Sequence, residues 1–197
     1  MKRQIGGPVI VLALVALAAT ACGRTAMARF YTLDSVATPD PGPRASYGVV
    51  VGPVTVPSSV DRPEFVVQVT PNRVAVDEFN RWAGPLDENI ARVVAGDLTT
   101  QLGTPRVAAA PAANFEAAYR VTINVQRFDS IPGREVVIDA VWSVRGPKGA
   151  ARSGRTVARE GVTDSSYDAL AAAHSRALAT VSGDIASAIR AEAAGRA

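Results

Sequence analysis

Side chains able to do chemistry are few in this 197-residue chain, and they do not gather into a recognisable reaction set. There is one histidine, His174, and one cysteine, Cys22. A Ser-His-Asp hydrolase needs its imidazole beside a serine raised on a sharp Gly-x-Ser-x-Gly turn, and the sequence holds no such turn. His174 instead falls on the inner side of a helical repeat, the place of a core or interface histidine. Zinc takes three or four Cys, His or carboxylate ligands, more nitrogen and sulfur than one histidine and one cysteine supply, so no metal and no cofactor are expected. Gly146-Pro147-Lys148-Gly149 has the glycines and lysine of a phosphate loop, but no Ser or Thr follows the lysine and no helix opens there, so it reads as a hairpin turn. Asp61, Glu78, Asp87 and Glu88 carry carboxylates whose spacing suits loop and helix-cap charges as well as an acid pair. The expectation is a protein that is not an enzyme and has no catalytic residues.

Cys22 is different, because its neighbours give its thiol a specific fate. Lys2 and Arg3 make a cationic start, residues 9–19 are unbroken apolar sequence, and the small residues Ala19-Thr20-Ala21 stand directly before the cysteine. That is an export signal over residues 1–21 ending at a lipobox, although Ala19 occupies the place where such boxes usually carry Leu. Diacylation of the thiol and cleavage before it leave Cys22 as a lipid-modified first residue, and several acyl chains make a durable anchor. An uncleaved span over residues 5–21 falls short of the ~20 apolar residues a crossing helix needs. An ordinary secretory signal with a coincidental cysteine is the stronger rival. One cysteine also rules out an internal disulfide, so the fold must stand on its core in an oxidising compartment. Gly23 follows the cysteine, and without Asp there enterobacteria-like sorting sends a lipoprotein to the outer membrane.

Charge excludes one further class. The formal net charge of +3 falls to +1 once Lys2 and Arg3 leave with the signal, and no basic stripe interleaved with aromatics is present, so nucleic acid is not an expected partner. Nearly half the residues are apolar and a fifth are charged, enough for one domain with a real core.

Periodicity supplies the elements that must position everything else. Residues 22–46 read as a lipidated start, an early strand at Phe30-Tyr31-Thr32-Leu33, and a linker through Pro39-Asp40-Pro41-Gly42-Pro43 that can hold neither helix nor central strand. The folded domain spans 47–197. A Val-rich run over 47–56 is broken at Gly52-Pro53, as in a strand that kinks or ends at an edge. Residues 65–69 and 73–77 form a hairpin about Thr70-Pro71-Asn72. Leu86, Ile90, Val93, Val94, Leu98 and Leu102 share one helical face behind Pro85, and Gly103 with Pro105 ends that helix. Tyr119, Val121, Ile123 and Val125 alternate with polar residues; 135–144 is apolar on both sides; and 155–162 looks like a charged edge strand. A last helix runs from Ser166 to about Ala194 with Leu170, His174, Leu178, Val181, Ile185 and Ile189 inward. The fold class is α/β: a single domain with a largely antiparallel, mixed sheet and two main helices packed on it.

The join between sheet and first helix is Glu78-Phe79-Asn80-Arg81-Trp82-Ala83-Gly84-Pro85-Leu86. Phe79 and Trp82 bring apolar area and Glu78 and Arg81 bring opposite charges, so the segment could clamp helix to sheet. Asp61 and Arg62, in the loop before the hairpin, could pair with each other or with Glu78 and Arg81. Exposed pairs of this kind contribute about 0–1 kcal/mol and often do no more than order a loop.

An acylatable cysteine, then Phe30-Tyr31-Thr32-Leu33, Val51-Gly52-Pro53-Val54, Val60-Asp61-Arg62-Pro63-Glu64-Phe65-Val66 and the Glu78–Leu86 block follow one another in an order that resembles the auxiliary lipoproteins of ABC-type transport systems, the paraquat-inducible protein C type. The resemblance implies a non-enzymatic subunit anchored at the outer membrane and facing the periplasm. Its implied partners are a protein of the mammalian-cell-entry (MCE) type, which forms a lipid conduit between membranes, an inner-membrane permease and ATPase, and further copies of itself in a ring. Cys22 would anchor it, and Asp61, Arg62, Glu78, Arg81 and Trp82 would shape a docking or assembly surface or else only hold the corner together. The rival from another class is a solitary lipoprotein that carries a lipid or small molecule between its sheet and helices.

Overall fold

A computed structural model describes residues 27–147, 149 and 151–195, so the signal segment and Cys22 lie outside it. In chain order the strands and helices are β1 (Arg29–Tyr31), β2 (Val49–Thr55), β3 (Glu64–Thr70), β4 (Arg73–Trp82), α1 (Leu86–Leu102), β5 (Val107–Ala109), β6 (Tyr119–Ile131), β7 (Glu135–Arg145), β8 (Ala151–Gly161) and α2 (Tyr167–Ala194). The α/β class and the two helices are as the periodicity predicts, with the strands divided between two mixed sheets.

Five strands in the order β5-β2-β6-β7-β8 make the larger sheet. β2 lies parallel to both β5 and β6, while β6, β7 and β8 run antiparallel by short turns. The break expected at Gly52-Pro53 is a register shift between Val51 and Val54. β7 is interior and β8 is the charged edge. The smaller sheet has the order β1-β4-β3, with β3 and β4 as the predicted hairpin and β1 parallel to the end of β4.

Helix α1 packs on β2 and β5, α2 on β7 and β8, and the helices on each other. Every residue of the two predicted apolar faces is buried, from Leu86 to Leu102 and from Leu170 to Ile189. Val136, Ile138 and Val144 of β7 meet them from the sheet, all fully buried, so the interval between sheet and helices is filled with side chains. Pro85 caps α1 one position before the helix proper, and Gly103 ends it in the left-handed conformation with its N–H bonded to Thr99 O. Ser166 caps α2 by accepting from Ala169 N.

Residues 32–46 are not a free linker. They hold no strand or helix after β1, as the Pro and Gly content dictates, but they are strapped to both helices. Asp97, buried on α1, accepts from Ser35 Oγ at 2.7 Å, Ala37 N at 3.0 Å and Ser182 Oγ of α2 at 3.1 Å. Asp34 N donates to Ser175 Oγ at 3.1 Å, Asp40 pairs with Arg190, and Ala45 N donates to Leu102 O. Gly96 allows the close approach, since a Cβ there would stand 2.9 Å from that of Ser35.

Candidate functional site

The corner is made by one carboxylate. Asp77 Oδ1 accepts from Phe79 N at 2.9 Å and Asn80 N at 3.0 Å, which curls the chain into a bulge. Against β3, the partner of Glu64 is Arg81 and the partner of Phe65 is Asp77, so one step on β3 spans four on β4. Beyond the bulge β4 keeps β3 on one side at the Glu64–Arg81 pair and gains β1 on the other, pairing Asn80 to Trp82 with Arg29 to Tyr31. Trp82 N then donates to Pro63 O at 2.7 Å and Ala83 N to Tyr31 O at 2.8 Å, which fixes the chain before Gly84-Pro85 turns it into α1.

Trp82 is only 4% exposed. It stacks on Phe65 with centroids 4.3 Å apart and meets Phe128 edge-on at 6.0 Å. Phe128 in turn stacks flat on His174 at 3.8 Å, and His174 Nε2 lies 2.8 Å from Ser130 Oγ. Burial holds the imidazole neutral, with its pKa pushed down to about 3. It is a core histidine, closed off from solvent and stacked on Phe128, with Nδ1 unpartnered among the described residues. Tyr31 and Tyr167 complete the aromatic cluster around Phe65. The Tyr167 hydroxyl donates to Asp77 Oδ2 at 2.8 Å, tying the start of α2 to the bulge, and burial together with that carboxylate pushes the phenol pKa up. Desolvation works against ionised Asp77, but the bonds from Tyr167, Phe79 N and Asn80 outweigh it and hold its pKa below the usual carboxylate value.

Five residues were the sequence's candidates for a surface, and the structure unites three of them. The loop before β3 turns on Pro57 O, which accepts from Val60 N and Asp61 N, and buries Val60 while leaving Asp61 and Arg62 exposed. Asp61, Arg62 and Trp82 line one open cleft of about 420 Å³ together with Pro63, Gly84 and Pro85. Arg81 does not pair with Glu78. Its Nη2 donates to Glu64 Oε1 across the hairpin at 2.8 Å, because the bulge moves Arg81 opposite Glu64. Glu78 stands exposed inside the bulge, away from the cleft lining.

The sequence reading missed a second cleft, of about 470 Å³, on the far side of the Ala83-Gly84-Pro85 ridge. Its wall is Arg92, whose Nη2 donates to Leu33 O at 2.6 Å, Asn89 Oδ1 at 2.9 Å and Thr32 Oγ1 at 3.0 Å. The signal was present: Asn89 lies three residues after Leu86, a polar side chain on the inward face of an apolar helix. Asp97 gives the same signal four residues after Val93. Among the described residues no group of three or more Cys, His, Asp or Glu is placed to hold a metal ion, and no helix is long and apolar enough to cross a membrane.

Two crystal structures share this fold. Protein XCC0632 from Xanthomonas campestris, of family DUF330, is 20% identical, with 86% of this chain and 100% of that chain aligned at a TM-score of 0.71. An uncharacterized protein is 21% identical over 83% of this chain and 99% of its own, at a TM-score of 0.69. No curated protein matches the sequence. The family model of the ABC-type transport auxiliary lipoprotein component matches residues 31–186. The chain belongs to that family. As an ABC-type transport auxiliary lipoprotein it is an accessory of a transport system, as the resemblance of its motifs implies. The matched span takes in both clefts, the bulge and the strap.

Proposed function

We propose that this auxiliary lipoprotein is acylated at Cys22, sits at the periplasmic face of the outer membrane, and docks an MCE-type conduit there without catalysing a reaction. An inner-membrane permease and ATPase would supply the energy, and further copies of the chain could complete a ring. The observation that carries this reading is the cleft at the β4–α1 corner. Its rim is the exposed pair Asp61 and Arg62, which have no ion-pair partner among the described residues, and its floor is the buried Trp82. A packed aromatic floor under charged rims suits a protein contact in which the floor holds the cleft's shape and the rim charges meet the partner and set register. Glu78 and Arg81 belong to the same proposal in a supporting role, Arg81 by holding the hairpin through Glu64 and Glu78 by presenting a charge beside it.

Two measurements on the full-length chain test the proposal. Affinity purification from detergent-solubilised membranes should recover an MCE-type protein, and Cys22→Ala should release the chain from the outer membrane into the soluble periplasm. A purified chain that brings down no such protein but retains a stoichiometric lipid would favour the solitary carrier, and unchanged membrane association of Cys22→Ala would reject the anchor.

A further inference from the structure

We propose that the face formed by β1 and the adjoining end of β4 lies against the lipid surface itself, so that protein side chains add to the acyl anchor. This inference rests on acylation of Cys22 as proposed above. Its starting point is where the exposed apolar side chains stand. Met27, Phe30 and Phe79 are 87%, 65% and 45% exposed. Phe30 is the register partner of Arg81, and Phe79 is one residue from the Arg29–Asn80 pair, so both rings belong to one short stretch of two paired strands. Met27 is the first described residue of the chain.

Leash length then selects the occupant. Five residue steps lead from Cys22 to Met27, which at full extension reach about 18 Å. A domain of this size has a radius of gyration of about 15 Å, hence a width of about 40 Å. Only the surface near Met27 is held within reach of the headgroups in every orientation, and that is where Met27, Phe30 and Phe79 are exposed. Arg29, exposed on the same strand, suits anionic headgroups, and Asp77 and Glu78 are the opposing charges in the bulge, Asp77 with its carboxylate tied up by Tyr167 and by two backbone N–H groups. The competing occupant is an added strand, because β1 covers β4 only from Asn80 to Trp82 and leaves the edge before it without a neighbour among the described residues. Here the bulge argues for lipid. The N–H groups of Phe79 and Asn80 are already bonded to Asp77, and a broken ladder is a poor template for strand pairing. A lipid surface requires no register.

The test uses the full-length chain made with its signal and purified from membranes. Acylation occupies Cys22, the only cysteine, so an introduced thiol can be labelled alone. Ala28→Cys and, as a control some twenty residues along α2 from Tyr167, Ser187→Cys carry an environment-sensitive fluorophore at exposed positions. In vesicles of phosphatidylethanolamine and phosphatidylglycerol containing doxyl-labelled lipid, the label at residue 28 should be quenched at least threefold more than that at 187. Adding Phe30→Asp and Phe79→Asp should abolish most of that difference while the chain still floats with the vesicles. Quenching at 28 that equals the control, or that survives both substitutions, overturns the proposal. If instead the mass of the N-terminal peptide shows unmodified Cys22 and the chain stays in the supernatant, the anchor itself is what failed, and this inference falls with it.

Discussion

The larger sheet seals one face under both helices and ties up much of its other face in local pairs, with Val141 and Val157 left 40% and 49% exposed there. On that outer side Arg155 grips Asp139 through two bonds of 2.8 and 2.6 Å, Arg127 pairs with Asp129, and the hydroxyls of Thr122 and Ser143 lie 2.7 Å apart. The smaller sheet leaves more and larger apolar side chains open. Its inner side holds the Phe65–Trp82 stack, while Phe30, Val74, Val76 and Phe79 stand exposed. A sheet whose open side is mostly tied up in local pairs is nearly complete as it stands, whereas one that leaves two phenylalanines and two valines in solvent is unfinished without a partner or a surface. Under the function proposed above, stability in this auxiliary lipoprotein resides mainly in the larger sheet and its helices, and contact with other components in the smaller sheet and the corner that joins the two.

That contrast breaks most easily at the joint itself. Trp82 belongs to the smaller sheet but packs against Phe128 of the larger, so Trp82→Ala should cost about 3–5 kcal/mol, the usual range for a buried Trp. Urea unfolding of the variant measures it, and a loss under 1 kcal/mol would show that the two sheets are not coupled there.

Acid should act on the same cluster. The buried imidazole of His174 titrates near 3, whereas an unfolded histidine titrates near 6.5, so between those values the unfolded chain takes up a proton that the folded chain refuses. Stability is unaffected by this group above pH 6.5 and falls as pH drops below it, by at most about 1.4 kcal/mol per unit. Asp97 works in the opposite sense, since burial raises its pKa, so the useful quantity is a difference between proteins. Ser130→Ala with His174→Leu should flatten the acid limb of urea midpoints relative to wild type, and parallel limbs would contradict the assignment.

Within the larger sheet alone the expected effect is smaller. A Cβ at Gly154 would land inside the indole of Trp142, which faces it across β7 and β8 and donates to Thr156 Oγ1 at 3.0 Å. Gly154→Ala should therefore destabilise by about 1–3 kcal/mol through overpacking. A thermal unfolding scan that places it level with wild type would mean that the sheet yields more readily than its packing implies.

Much of this arrangement was legible in the sequence because it is local. The two helix faces and the hairpin about Pro71 follow from spacing and residue type within short windows, whereas Phe79 and Trp82, alike in the sequence, part company in the fold, the first 45% exposed and the second 4%. What was not legible depends on distant partners. Parallel pairing of β2 with β5 and β6 splits the strands into two sheets, and nothing in the alternation of a single strand specifies its neighbour. Arg81 finds Glu64 and not Glu78 only because Asp77 folds the chain back on itself. Composition marked residues 32–46 as irregular, which they are, but could not show that Asp97 would fasten them to the helices. Asn89 and Asp97 on an apolar face were the available clues to both omissions.

The central claim is that the corner's rim serves contact and its floor serves the fold. Asp61→Ala with Arg62→Ala in the acylated, full-length chain separates the two, because both side chains are exposed and surface substitutions of this kind change stability by no more than about 0.5 kcal/mol. The account predicts that co-purification of the transport partner falls at least tenfold while the unfolding midpoint stays where it was. Partner recovery equal to wild type, with the fold intact, would contradict it.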